Sequence, residues 1–206
     1  MRLLLVNTAT TDRFTALAVD GCLQALEGMT DERRQVQDLV PALQRIAGDF
    51  SALDGFGVVT GPGSFTGVRI GIAALRGMAL ALEKPLIGMT AFDMYARALG
   101  PVDGDILAAV DSRRDELYYQ VFTKDLQKEG DAFMLLPETL PARSGIVVTG
   151  DGAPLSAVAG EVRVSDAEDC ALALAHFAAK NIEKNLFSEA LPYYVRPPDI
   201  TLPGQR

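Results

Sequence analysis

Val58-Val59-Thr60-Gly61-Pro62-Gly63 and Val147-Val148-Thr149-Gly150-Asp151-Gly152 carry one pattern, an apolar strand run ending in Thr-Gly-x-Gly, once in each half of the 206-residue chain. A second pair supports the first. Residues 3–6 with Asn7-Thr8, followed by residues 14–19, are echoed by residues 106–110 with Asp111-Ser112, followed by residues 117–122. Each half therefore reads as a hairpin followed later by a strand and a glycine turn. A weak repeat with a period near half the chain predicts a duplicated domain rather than a solenoid of short units.

Glycine where a strand leaves a sheet permits positive φ and close backbone approach, and amides beyond such a turn can gather around an anion at a helix start. Gly61, Gly63, Gly150 and Gly152 are thus candidate phosphate contacts, with a tight strand-to-helix turn as the alternative. A P-loop is excluded because Val68-Arg69, not Lys-Ser or Lys-Thr, follows Gly67. The dinucleotide fingerprint fails as well, since Thr66 stands where its third glycine belongs.

Composition is that of a globular protein, 49% hydrophobic and 22% charged, long enough for one large domain or two small lobes. A net charge of −8 argues against a chain that holds nucleic acid by itself, because phosphate-binding surfaces carry excess Lys and Arg. Local basic residues are Arg33-Arg34, Arg113-Arg114, and Arg69 with Arg76. Cys22 and Cys170 are too few for a disulfide framework, and the apolar run 3–6 is too short for a signal peptide. No run reaches the ~18 consecutive apolar residues of a membrane span. The expectation is a cytoplasmic chain with no membrane partner.

Outward from the first glycine turn, the pattern predicts strands at 22–26, 56–60 and 85–88. Helices are expected from Thr30 to about Ala47, over 64–82 and over 91–99. Thr30 is the expected N-cap, with Asp31 and Glu32 in the first turn, and Pro41 should kink that helix. Gly100-Pro101-Val102-Asp103-Gly104 marks the boundary between lobes 1–100 and 101–206. Beyond it come strands at 132–136, 146–149 and 162–164, a short helix, and a helix over 167–180. Residues 192–198 should lie extended on a surface, being too rich in proline for a helix.

Three strands, helix, strand, helix, built twice with facing glycine turns, resembles the α/β plan of the actin-like ATPase and sugar kinase superfamily, a duplicated two-lobed ribonuclease H-like fold. Gly61-Pro62-Gly63-Ser64-Phe65-Thr66-Gly67-Val68-Arg69-Ile70-Gly71 closely resembles the signature of the TsaB (YeaZ) family. Val110-Asp111-Ser112-Arg113-Arg114, Gly150-Asp151-Gly152 and Pro192-Tyr193-Tyr194-Val195-Arg196 follow in the family's order. The resemblance implies a non-catalytic subunit of the complex that installs N6-threonylcarbamoyl on adenosine 37 of tRNAs reading codons that begin with A. It implies dimerisation with a TsaD-like catalytic subunit, cooperation with a TsaE-like ATPase that uses ATP, and a homodimer when the chain is alone. tRNA would be met only through the complex, and no cofactor would belong to this chain.

Two departures bear on catalysis. The family commonly begins its first turn with Asp-Thr-Ser, whereas Asn7-Thr8-Ala9 stands here, without the carboxylate that related nucleotide hydrolases place near metal and water. Gln35-Val36 replace a frequent His-Ser, and His176 is the one histidine in the chain. A single imidazole builds no His-rich metal site. Neither Ser64 nor Ser112 can be assigned a histidine base. Asp111, Asp115 and Asp151 could face one another across a cleft, although scattered acids are usually solvated.

The helix over 64–82 holds Gly67, Gly71 and Gly77, each costing about 1 kcal/mol against Ala. Something must offset that cost, and close packing is the candidate. Gly67, Gly71, Ala74 and Ala81 form one stripe, with Val68, Ile72, Leu75, Ala79 and Leu82 beside it. Because the family's two N-terminal helices form a helical interface, the resemblance implies partner contacts at Val36, Leu39, Val40 and Leu43, and at Gly67, Val68, Gly71, Ile72, Ala74 and Leu75.

Overall fold

The computed structural model describes residues 1–29, 34–140, 145–157, 160–187 and 189–196. Strands β1 (Arg2–Asn7), β2 (Phe14–Val19) and β3 (Cys22–Gly28) pair antiparallel in a meander. On the other side of β1, β4 (Gly55–Val59) lies parallel to it, with Leu5 opposite Gly57, and β5 (Leu86–Met89) lies parallel to β4. The first sheet has the order β3-β2-β1-β4-β5.

The second half repeats this arrangement. Strands β6 (Asp105–Asp111), β7 (Leu117–Phe122) and β8 (Lys128–Leu135) form the meander. Strand β9 (Ile146–Thr149) runs parallel to β6, and the two-residue β10 (Glu161–Val162) runs parallel to β9. The order β10-β9-β6-β7-β8 is that of the first sheet read from its opposite edge. Strands β1 and β4 are covered on both faces, which is why they read as continuous apolar runs without alternation.

Helices α1 (Gln35–Ala47), α2 (Phe65–Leu82) and α3 (Ala91–Ala98) belong to the first half, and α4 (Ala167–Glu183) to the second. The expected start of α1 at Thr30, with Asp31 and Glu32, lies outside the described residues. The helix continues through Pro41, whose ring is exposed. Ser64 caps α2 by accepting the Gly67 N–H, Thr90 caps α3 and Asp166 caps α4. Between β9 and β10, where the first half inserts α2, the second half carries a 3-10 turn at Ala153–Leu155. The short helix expected there is that single turn. The strand expected at 162–164 is the shorter β10, and the strand expected at 132–136 begins earlier, as β8.

The division near residue 100 separates the two sheets but not the two cores. Helix α4 lies on the strands of the first sheet: a side chain at Gly57 would come within 3.3 Å of Leu174 and 3.4 Å of Ala178. Helix α3 packs against α4 and against β6 of the second sheet. One apolar core therefore joins Leu3, Leu4, Leu5 and Val6 to Ile106, Ala108, Val110 and Leu174. A smaller core in the second half contains Leu107, Tyr119 and Val148. At about 1.5–3 kcal/mol for each large apolar side chain buried, the shared core ties the halves together.

Candidate functional site

The two Thr-Gly-x-Gly turns sit at equivalent ends of β4 and β9, as the repeat requires, and each presses on the backbone of its own lobe. Gly63, at φ 144°, has no room for a side chain because the Ala9 carbonyl lies against it, and the Ser64 amide donates to that carbonyl at 2.7 Å. Gly150, at φ 100°, meets the Ala109 carbonyl in the same way, and the Gly152 amide donates to it at 3.1 Å. The Gly67 amide bonds to Ser64 Oγ and the Ala153 amide to the Gly150 carbonyl. In both turns, then, the amides of Ser64, Gly67, Gly152 and Ala153 are bonded to the chain itself.

Residues 7–12, the turn between β1 and β2, are held from four directions. Asn7 is buried. Its Nδ2 donates to Thr10 Oγ1 at 2.8 Å and to the Asp12 carbonyl at 2.7 Å, while its Oδ1 accepts the Ala9 amide at 3.1 Å. Thr8 Oγ1 donates to the Gly67 carbonyl at 2.6 Å. From α3 the Tyr95 hydroxyl donates to Asp12 Oδ2 at 2.7 Å. From the second lobe, Asp151 Oδ2 accepts the Thr11 amide at 2.9 Å and the Thr11 hydroxyl at 3.1 Å, while its Oδ1 accepts the Asp111 amide at 3.0 Å.

Asp151 thus bridges the first turns of both lobes. Burial pushes its carboxyl above the ordinary value, against the Thr11 and Asp111 amides that pull it down. Burial, then the Asp151 and Asp12 carboxylates, push the Tyr95 hydroxyl well up, so it serves as a donor. Asp111 lies close to Asp151, but its own carboxylate accepts the Arg113 amide at 2.7 Å. Asp115 is exposed and takes no part in this bridge.

Among the described residues no group of three or more His, Cys, Asp or Glu is placed to hold a metal. His176 is exposed on α4, beside Gly21. Cys170 is buried, and burial pushes its thiol up. It is therefore an inert core residue rather than a nucleophile.

The residues expected at a partner surface fall into two groups. Leu39, Leu43, Val68, Ile72 and Leu75 are buried in the core of their own lobe. Gly67 and Gly71 are also turned inward. A Cβ at Gly67 would overlap the Thr8 carbonyl, and one at Gly71 would stand 2.5 Å from Thr8 Oγ1. Within this chain these seven residues of the expected partner surface face inward, Gly67 and Gly71 against the turn at Thr8, whereas Ala81 of the same small stripe is exposed. Val36 and Val40 are 67% and 41% exposed, and Ala74 is half-buried.

The open face of α2 is a different one. Ala73, Gly77, Leu80 and Ala81 are exposed there, Leu80 to 81%, and Ile70, half-buried against the core, borders them at helical spacing. Helix α1 packs beside α2. By length and composition α2 could also cross a membrane. Its inner face packs on β4 and β1, and it carries Arg69 and Arg76.

Those two arginines hold the C-terminal segment. Arg76 Nη2 donates to the Ala190 carbonyl at 3.0 Å, and Arg69 Nε to the Tyr194 hydroxyl at 3.1 Å. The Arg69 guanidinium lies 3.6 Å from the centre of the Phe65 ring, which packs on Tyr194. The Tyr193 amide donates to the Thr60 carbonyl at 2.8 Å. Residues 189–196 run along α2 and the first glycine turn without helix or strand, while Pro197 and Pro198 lie outside the described residues. Arg34 pairs with Asp38 and Arg113 with Asp111, and Arg33 lies outside the described residues. Sequence reasoning missed Thr11 and Tyr95, whose roles arise only where the turn, α3 and the second lobe meet.

Over residues 33–144, more than half of its length, the chain matches the model of the family described as TsaD, tRNA N6-adenosine threonylcarbamoyltransferase. It is 34% identical over 131 residues to the tRNA threonylcarbamoyladenosine biosynthesis protein TsaB of Escherichia coli (strain K12), covering 61% of this chain and 56% of that protein. With the Haemophilus influenzae protein of the same name it is 28% identical over 101 residues, 46% of this chain and 42% of that one. The chain thus spans about half the length of the curated relatives it matches. YeaZ from Pseudomonas aeruginosa superposes with a TM-score of 0.72 at 25% identity, covering 94% of this chain and 100% of that one. The crystal structure of an uncharacterized protein with similarity to peptidase YEAZ from Pseudomonas aeruginosa gives 0.75 at 26% identity over 95% of this chain and 99% of that one.

Two sheets of one strand order, each a meander followed by parallel strands, define an α/β protein with the duplicated, two-lobed actin-like fold. Within that class the family match is specific. The chain belongs to the TsaD family, on its TsaB (YeaZ) branch.

Proposed function

We propose that this chain is a non-catalytic scaffold subunit of the complex that installs N6-threonylcarbamoyl on adenosine 37 of tRNAs reading codons that begin with A. It acts by dimerising with a TsaD-like catalytic subunit. The observation that carries this reading is the open face of α2, with Ala73, Gly77, Leu80 and Ala81 exposed, on a helix that packs against α1, where Val36 and Val40 are exposed as well. A soluble lobe gains nothing by leaving such a continuous apolar face in water, so the face suits a helical partner that approaches closely at small residues.

The glycine turns and Asn7 support the non-catalytic part. Asn7 is spent on bonds within its own turn, and the Ser64 and Gly152 amides on the Ala9 and Ala109 carbonyls of their own lobes, which suits a chain whose task is to present a surface. ATP is consumed by a TsaE-like ATPase in the complex, and this chain carries no cofactor of its own. tRNA meets this chain within the assembly, in keeping with the net charge of −8. In isolation the same face pairs two copies as a homodimer, and the compartment is the cytoplasm.

Size-exclusion co-elution with a TsaD-like subunit, with phosphate release followed on the same samples, tests the reading. Co-elution lost in Leu80→Glu, with no phosphate released by the chain alone, is expected. Steady ATP turnover by the isolated chain, with no co-elution, would instead favour an autonomous ATPase of the same fold.

A further inference from the structure

The duplication is broken at one position that matters. The first glycine turn places Pro62 between its glycines, whereas the second places Asp151 there, so a single carboxylate reaches from the second lobe to the first turn. That turn is also the floor on which α2 begins. Ala9 accepts the Ser64 amide, Gly63 lies against Ala9, and Thr8 Oγ1 bonds to the Gly67 carbonyl.

We propose that the second lobe sets the N-terminal turn of α2 through Asp151, a positioning residue whose carboxylate fixes residues 8–12 so that they fix residues 63–67. The path is continuous. The carboxylate takes two donors from Thr11 and one from Asp111, which prevents the turn from shifting along β6. Asn7 makes the turn rigid from within, so a displacement at Thr11 is passed to Thr8 and Ala9 instead of being absorbed. Those two residues hold Ser64 and Gly67, the cap and first turn of the helix whose outer face is free.

Other groups face the same place. Tyr95 of α3 holds the turn through Asp12, and Cys170 of α4 lies within electrostatic reach of Asp151. The Tyr95–Asp12 bond is the competing support. If it alone fixed the turn, Asp151 would be dispensable for α2.

Only the consequence for docking rests on the function proposed above, because the positioning itself is read in the isolated chain. The experiment is residue-resolved amide hydrogen exchange of Asp151→Ala and Asp151→Asn, the second keeping shape and one acceptor oxygen. The expected result is at least tenfold faster exchange at Ser64 and Val68, an intermediate effect in Asp151→Asn, and no change at Lys84, whose amide bonds to Ala79 at the far end of α2. Acceleration confined to Thr11 and Asp111 would overturn the proposal, since the bridge would then be local. Equal acceleration at Ser64 and Lys84 would overturn it too, as plain loss of global stability.

Discussion

Thr8 Oγ1 donates to the Gly67 carbonyl at 2.6 Å, and the Thr8 carbonyl stands where a Gly67 side chain would be. The first turn and the second helix are therefore locked by one residue that uses both its side chain and its backbone. The absence of a side chain at Gly67 is what allows this approach, and it offsets the helix-propensity cost of about 1 kcal/mol.

The first prediction follows from that contact. Gly67→Ala drives a methyl group into a backbone carbonyl that cannot rotate away, and it should cost about 3 kcal/mol or more. Gly71→Ala meets Thr8 Oγ1 at 2.5 Å, a side-chain atom with some freedom, and should cost less. Urea unfolding of the two variants checks the order. Gly71→Ala as damaging as Gly67→Ala would mean that Thr8 cannot yield.

Asn7→Asp is the second. Asn7 donates two hydrogen bonds with Nδ2, and a carboxylate would face the Asp12 carbonyl with no proton to offer. A buried charge against a carbonyl should destabilise by about 2 kcal/mol at neutral pH. The loss should shrink as pH falls from neutral toward about 4, because the buried carboxyl takes up its proton above the ordinary value of about 3.9. Unfolding curves at pH 7 and near pH 4 test both parts, and a variant as stable as the parent at pH 7 would sink the argument.

Much of the fold was legible in the chain because duplication writes one pattern twice. The runs at 58–63 and 147–152 pointed to the equivalent strands β4 and β9, and the hairpins to β1–β2 and β6–β7. What periodicity could not supply was the neighbour. The small stripe at Gly67 and Gly71 says that something comes close, yet nothing local tells Thr8 from a partner subunit. Likewise Asp151 reads as one acid among many, since its bond to Thr11 spans 140 residues. Leu80 lies outside the inward stripe, and a lone large apolar residue near a helix end carries little signal in sequence.

The third prediction concerns pH. Asp151 holds its proton more tightly folded than unfolded, because burial outweighs the amides of Thr11 and Asp111, and Asp12 adds to the rise. Its contribution to stability is therefore fullest below the ordinary value of about 3.9 and is lost as pH rises through the native value. Asp151→Asn lacks this dependence. The stability of the parent minus that of the variant should grow between neutral pH and about pH 4. A difference that shrinks on acidification would reverse the sign and contradict the assignment.

The last prediction separates stability from docking at one residue. Gly77 lies on the outer face of α2, and a Cβ there would meet nothing within 4 Å. In the monomer, Gly77→Ala should therefore gain helix propensity, roughly 0.5–1 kcal/mol, without steric cost. For a chain of this size that raises the melting temperature by about 2–4 °C for each kcal/mol. If a partner helix packs closely on Ile70, Ala73 and Leu80, the added methyl group falls between two backbones and should weaken the complex even as it strengthens the subunit. Melting in dilute solution and titration with a TsaD-like subunit, both on the one variant, report the two effects separately. A variant that melts higher and binds its partner as tightly as the parent would show that no helix approaches closely at Gly77, and that the docking surface lies elsewhere on the chain.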